Sequence, residues 1–126
     1  MKRGEIWLID LNPTRGGEIQ KTRPAVIVSD DLVGTLALKI ILPITDWKDH
    51  YAEVGWMAKL EPNEKNGLIK VSAADAFQVR SVSQTRFIRK LGEVSEVDLF
   101  AIKKAIAFVF DLEVPSKVSK HDGRKK

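Results

Sequence analysis

Short apolar runs, either alternating with polar residues or rich in β-branched side chains, fill most of the chain, and one stretch of helical period closes it. Glu5-Ile6-Trp7-Leu8-Ile9-Asp10 ends at Asn12-Pro13, which predicts a strand followed by a turn. Residues 14–22 carry the Gly16-Gly17 pair among mixed charges and read as a mobile loop. A second strand is expected from Pro24 to Ser29, with Pro24 at its beginning because proline has no N–H to give to a central ladder. Arg23 then stands at a strand entrance. A third strand, Leu36 to Ile44, is interrupted by Lys39 and Pro43 and leaves Thr45 at its exit.

Residues 46–53 (DWKDHYAE) read as a polar, aromatic loop. Val54 to Leu60 and Leu68 to Val71 bracket Asn66-Gly67, a strong hairpin signal, and are expected to pair. Ala76 to Val82 reads as extended, and Ser81 to Leu91 fits equally a short helix closed by Gly92. Ser95-x-x-Asp98 is a capping box, and Leu99, Ile102, Ile106 and Val109 recur at helical spacing up to Leu112. Phe100, Phe108 and Phe110 widen the apolar face beyond one stripe, so this helix is expected to meet a second surface, a dimer contact being the candidate. Pro115 is expected to stop it. Some six strands and one terminal helix, without βαβ alternation, indicate an α+β fold built on a small, half-open antiparallel β-barrel.

Composition narrows the picture further. A chain of 126 residues with 44% hydrophobic content suits one core, assigned here to residues 1–112. The net charge is +4, but residues 113–126 hold five Lys/Arg against Glu113 and Asp122, so that tail carries +3 of it and is expected to be disordered. The folded body is nearly neutral, and only local clustering of its cations could argue for a polyanionic partner. There is no cysteine, and His50 and His121 are too far apart in sequence for a metal-ligand pattern; no cofactor is implied. Gly16-Gly17 lacks the strand-to-helix setting and Lys-Ser/Thr ending of a phosphate loop. With neither a signal-peptide pattern nor an apolar run approaching a membrane span, a cytoplasmic protein is expected.

"RGEIWLIDLNP", "GGEIQKTRPAVIVSDD", "ILPIT", "QVRSV" and "RKLGEVS", in that order and spacing, resemble the MazF/PemK toxins of type II toxin–antitoxin systems. The resemblance covers residues 1 to about 112. It implies a Src-homology-3-like barrel acting as a homodimer, an mRNA-cutting endoribonuclease selective for short single-stranded motifs, and a cognate antitoxin that holds the activity off. DNA would be met only indirectly, through the toxin–antitoxin complex. The family's catalytic pair falls on Arg23 in "TRP" and Thr45 in "PIT".

The residue types suit that task. RNA carries its own nucleophile in the 2′-hydroxyl, so the protein need only position groups, move a proton and stabilise phosphoryl charge. Guanidinium offers paired donors to two phosphate oxygens and a threonine hydroxyl adds another. Arg23 stays protonated and cannot be the base; Glu18, His50 and Asp75 are the candidates. Phe77 occupies the place where some family members carry an acid before the glutamine. Asp75, two residues earlier on the same face of an extended strand, could substitute, although a surface carboxylate paired with Arg80 or Lys70 is the simpler account.

Trp47, Lys48, His50 and Tyr51 interleave aromatic and basic groups directly after Thr45 and form a candidate specificity loop; Trp47 and Tyr51 could equally cap the core. Arg15, Glu18, Gln20 and Lys21 of the first loop, with Gln78 and Arg80 of "QVR", complete the candidate RNA contacts. Two other readings compete with the nuclease. One is a non-enzymatic toxin of the CcdB kind that binds DNA gyrase, and the other a nucleic-acid-binding barrel without chemistry.

Overall fold

The computed structural model describes residues 1–33 and 37–114. Seven strands run in the order β1 (Glu5–Asp10), β2 (Thr22–Ile27), β3 (Leu38–Asp46), β4 (Met57–Leu60), β5 (Ser72–Asp75), β6 (Arg80–Ser83) and β7 (Phe87–Glu93), followed by α1 (Glu96–Phe110). All recorded pairings are antiparallel; the lateral order is β4-β5-β3-β2-β1-β7, with β6 also on β3. The sheet curls without closing, which fits the half-open barrel with a C-terminal helix.

The pleat gives the sheet two buried faces. Ile6, Val26, Leu42 and Ile44 point toward Ala58, Leu60, Ala74 and the helix residues Ile102 and Ala105. Ile9, Leu11, Ala25, Ile27, Ile41 and Val82 form a second, smaller core on the opposite face. Each fully buried aliphatic side chain contributes about 1.5–3 kcal/mol relative to exposure. Ser95 Oγ accepts the Asp98 N–H at 3.1 Å, as a capping residue should. The helix ends at Phe110, where Asp111 turns left-handed, ahead of Pro115; that proline and the rest of the basic tail lie outside the described residues. Phe108 and Phe110 remain more than half exposed.

Several expected boundaries moved, for local reasons. β3 starts at Leu38 and runs through Thr45 to Asp46, since β5 pairs with Ile44, Thr45 and Asp46; the expected start at Leu36 lies outside the described residues. Pro24 sits inside β2 rather than at its start. Val28 donates to Ile40 of β3 at 2.9 Å, so by alternation Pro24 turns its missing donor toward β3 as well, beyond the last β2–β3 pair, Ala25 with Pro43. Pro43 points the other way, into the gap between β6, whose pairing ends at Ile41, and β5, whose pairing begins at Ile44. Both prolines therefore fall where a ladder is already interrupted.

Asn66-Gly67 is not a hairpin turn. β4 pairs with β5 at Ser72–Asp75, not with Leu68–Val71, and residues 61–71 make a longer excursion between them. Asn66 is fully buried there, because its amide ties the excursion together. Its Oδ1 accepts from Asn63 N and Leu68 N, and its Nδ2 donates to Glu61 O. The Ser81–Leu91 segment is not helical, since β6 and β7 occupy it on either side of a short 3-10 turn at Gln84–Arg86. Gly92 serves close approach instead of a helix cap: a Cβ there would stand 2.2 Å from the Lys65 carbonyl oxygen.

Candidate active site

The ladder between β2 and β3 stops at Ala25 and Pro43, while β2 stays paired with β1 down to Thr22 and β3 turns to β5. Continuing the β2–β3 register by two residues sets Arg23 across from Thr45. The strands part there, and a cleft of about 480 Å³ opens between them. Arg23 and Thr45 both line it, with Leu8, Pro24, Ile44 and Leu91 among its apolar walls. Among the described residues, Lys21, Arg23, Lys70 and Arg89 also face it against the single carboxylate Asp46, a local charge of +3. The clustering that the nearly neutral body did not promise is concentrated in this cleft.

Arg23 is steered from the first loop, its Nε donating to the Gln20 carbonyl at 3.1 Å. Among the described residues, nothing accepts from its two terminal amino groups. The loop is held rather than loose. Gln78 accepts from Ile19 N at 2.6 Å and donates to Gly17 O at 3.1 Å, and Lys21, left-handed at φ 74°, donates to Asn12 Oδ1 at 3.0 Å. Gln78 is thus engaged as a loop clamp. Arg80 reaches the Leu11 carbonyl at 3.5 Å.

The base candidates read from the sequence lie apart from the cleft. Glu18 Oε1 accepts from Arg15 N at 2.6 Å, closing a local turn. Asp75 is not a surface carboxylate and pairs with neither Arg80 nor Lys70; it is buried and accepts from Phe77 N at 3.0 Å, capping a short 3-10 turn. Phe77 lies within that turn, so the two do not share the face of one extended strand. Burial pushes the Asp75 carboxyl up, only partly offset by the backbone N–H groups of Phe77 and Gln78. His50 packs on Tyr51 with ring centroids 4.8 Å apart.

Residues 46–53 contain a 3-10 turn at Asp49–Glu53 and form an aromatic stack of their own. Trp47 meets Tyr51 edge-on at 5.7 Å, and Lys59 lies over the Trp47 ring at 5.1 Å. Trp47 and Tyr51 are half-buried and belong to neither core cluster, so they do not cap the barrel. Trp47, Lys48, His50 and Tyr51 are absent from the cleft lining, as are Arg15, Glu18, Gln20, Gln78 and Arg80; Lys21 lines it.

Sequence reasoning did not bring Asp46, Lys70 and Arg89 to this cleft, which they line. Lys70 Nζ lies 3.1 Å from Asp46 Oδ1, bridging the excursion after β4 to the residue that follows Thr45. Arg89 is brought in by its pairing with Leu8. Asp46 could have been found from its place beside Thr45; the other two needed the strand register. Among the described residues, no three His, Asp or Glu side chains gather in a metal-holding group.

A family model described as a PemK-like, MazF-like toxin of type II toxin–antitoxin systems matches residues 2–110. The endoribonuclease MazF9 of Mycobacterium tuberculosis is 35% identical over 118 residues, covering 89% of this chain and 98% of that protein. The endoribonuclease PemK of Escherichia coli is 37% identical over a shorter stretch, 48% of this chain and 47% of that protein. Among solved structures, MazF from Deinococcus radiodurans superimposes with a TM-score of 0.74 at 20% identity, covering 89% of this chain and 97% of that one. A mycobacterial endoribonuclease in complex with its cognate antitoxin gives a TM-score of 0.71 at 19% identity, covering 91% and 99%. The chain therefore belongs to the PemK/MazF family of type II toxin–antitoxin toxins.

Proposed function

We propose that this toxin is an endoribonuclease that cuts single-stranded RNA without a metal ion, using the substrate's own 2′-hydroxyl as nucleophile, at the cleft between Arg23 and Thr45. The observation that carries the reading is that these two residues, 22 positions apart in sequence, line one cleft of net charge +3 beyond the Ala25–Pro43 end of the β2–β3 ladder. The free amino groups of Arg23 would hold the non-bridging oxygens of the scissile phosphate, and the Thr45 hydroxyl would add a neutral donor as charge builds there. Lys21, Lys70 and Arg89 would take the flanking phosphates. Asp46 is the carboxylate lining this cleft and is the group we assign to accept the 2′-hydroxyl proton.

The products would be a 2′,3′-cyclic phosphate and a 5′-hydroxyl, and the cut would be selective for a short sequence motif. An antitoxin would act as partner, as one does in the mycobacterial structure. The exposed Phe77, Phe108 and Phe110 suit the homodimer contact that the family resemblance implies. A gyrase-binding toxin would leave the Arg23–Thr45 cleft without a task, and a barrel that only binds nucleic acid would not need Asp46 beside Thr45.

The test is cleavage of a single-stranded RNA in the presence of excess EDTA. Persistent, site-selective cutting is expected. Complete loss on chelation, restored by a divalent ion, would contradict the metal-independent mechanism.

A further inference from the structure

Ile69 is 91% exposed and lines the same cleft as Arg23 and Thr45. An isolated exposed isoleucine is unremarkable by itself, but the segment presenting this one is built to a fixed position. Leu68, its neighbour, is buried and belongs to the larger core. Asn66 is locked by the bonds to Glu61, Asn63 and Leu68 described above. Gly67 has φ +71°, and a Cβ there would stand 2.1 Å from the Leu91 carbonyl oxygen. Gly92 meets the Lys65 carbonyl just as closely, and Glu93 N donates to that same oxygen at 2.8 Å. Two glycines thus let the excursion and β7 lie backbone against backbone, and on the far side Lys70 is tied to Asp46. Ile69 stands between these anchors with its side chain in solvent.

Building on the endoribonuclease reading, we propose that Ile69 is a specificity-determining residue: it packs against the face of an unpaired base beside the scissile phosphate and sets which base is accepted there. The charged groups in the cleft are mostly cationic and suit phosphates, which carry no sequence information. An aliphatic face suits a base or its methyl group and discriminates by fit. A β-branched side chain is already restricted at χ1, so ordering it on binding costs little. Beyond Asp46, the 46–53 segment, which the sequence marks as the candidate reader, spends its aromatic surface on its own stack, and residues 47–53 lie outside the cleft lining.

The experiment is cleavage of an RNA library randomised around one cut site, with sequencing of the new 5′ ends, for the parental protein and Ile69→Ala, Ile69→Asn, Trp47→Ala and Tyr51→Ala. The exposure of Ile69 keeps its variants from threatening the fold. Ile69→Ala should lower the kcat/KM ratio between the favoured base and its competitors at one position next to the cut by about tenfold, the scale of a lost apolar pocket contact. Ile69→Asn should change the favoured base. Cutting by Ile69→Ala and Ile69→Asn with parental preferences overturns the proposal, and a changed preference in Trp47→Ala or Tyr51→Ala alone moves base reading to residues 46–53. A parental protein that cuts no RNA would overturn the underlying nuclease reading itself, a distinguishable outcome.

Discussion

The two halves of β3 differ in pairing more than in sequence. Leu38–Ile41 is paired with β6 on one edge, and Ile41–Pro43 with β2 on the other; here Ile41 and Leu42 are wholly buried on opposite faces. Among the described residues Ile44–Asp46 pairs only with β5, leaving its β2 edge unpaired, and Thr45 and Asp46 line a cationic cleft. With both edges paired and Ile41 and Leu42 buried on the two faces, the Leu38–Pro43 half serves as scaffold. Where one flank is withdrawn, the same strand can present side chains to a ligand while its other edge keeps them in place. In this chain the change occurs at Pro43, opposite the approach to Pro24, so residues that cannot donate to a ladder stand where the ladder yields to a site.

The largest expected effects separate these halves. Arg23→Ala and Thr45→Ala should each reduce RNA cleavage about a hundredfold to a thousandfold, as the loss of one charge-stabilising donor does, with a near-parental melting temperature. Ile41→Ala, in the scaffold half, should instead destabilise the fold by about 2–5 kcal/mol while each folded molecule keeps its activity. Denaturation curves beside initial rates resolve the two. If Arg23→Ala retains the parental rate, the open half is not the catalytic one.

A smaller effect sharpens the role of the cleft's rim. Lys70→Ala removes an exposed cation and its exposed ion pair with Asp46, so stability should hardly change. RNA affinity should fall severalfold, and the slope of log affinity against log salt should become shallower by about one. An unchanged salt slope would place Lys70 off the RNA path.

How far the sequence revealed this division can be judged residue by residue. Glu5–Asp10 and the Ser95–Asp98 cap were readable, because a strand bounded by turn residues and a helix start are local signals. Arg23 and Thr45 were legible as strand-end residues and through the family resemblance, and the structure adds that they face one cleft. Lys70 and Arg89 were not legible, since their place depends on which strands lie side by side. Asn66-Gly67 misled because its turn signal is local, whereas its task is to pack an excursion against Gly92 of β7. Asp75 misled in the opposite sense: its simpler account was a surface carboxylate paired with Arg80 or Lys70, but the buried β5 carries it inward.

That burial supplies the smallest predicted effect, a control from outside the cleft. The raised pKa of Asp75 means that the native state holds its proton more tightly than the unfolded chain. The resulting destabilisation is fully present above the folded pKa and is relieved as pH falls through it toward the ordinary carboxylate value. Asp75→Asn keeps an acceptor for Phe77 N, so it should raise the melting temperature at neutral pH by no more than about 3 °C. That gain should vanish in acid, while RNA cleavage is unaffected. A drop in cleavage at unchanged stability would return Asp75 to the chemistry.

The central claim is that the open half of β3 leaves the nucleophile to the RNA. The most direct measurement is to replace the single ribose 5′ to the cut by deoxyribose and follow both fragments by mass spectrometry. In the proposed mechanism Arg23 and Thr45 act only on the phosphate, and the attacking oxygen is the neighbouring 2′-hydroxyl. The account therefore predicts no cleavage of the substituted strand, and from the all-ribose strand an upstream fragment ending in a 2′,3′-cyclic phosphate and a downstream one beginning with a 5′-hydroxyl. Continued cutting of the deoxy-substituted strand, or a 5′-phosphate on the downstream fragment, would mean that water attacks and would contradict the roles given to Arg23 and Thr45.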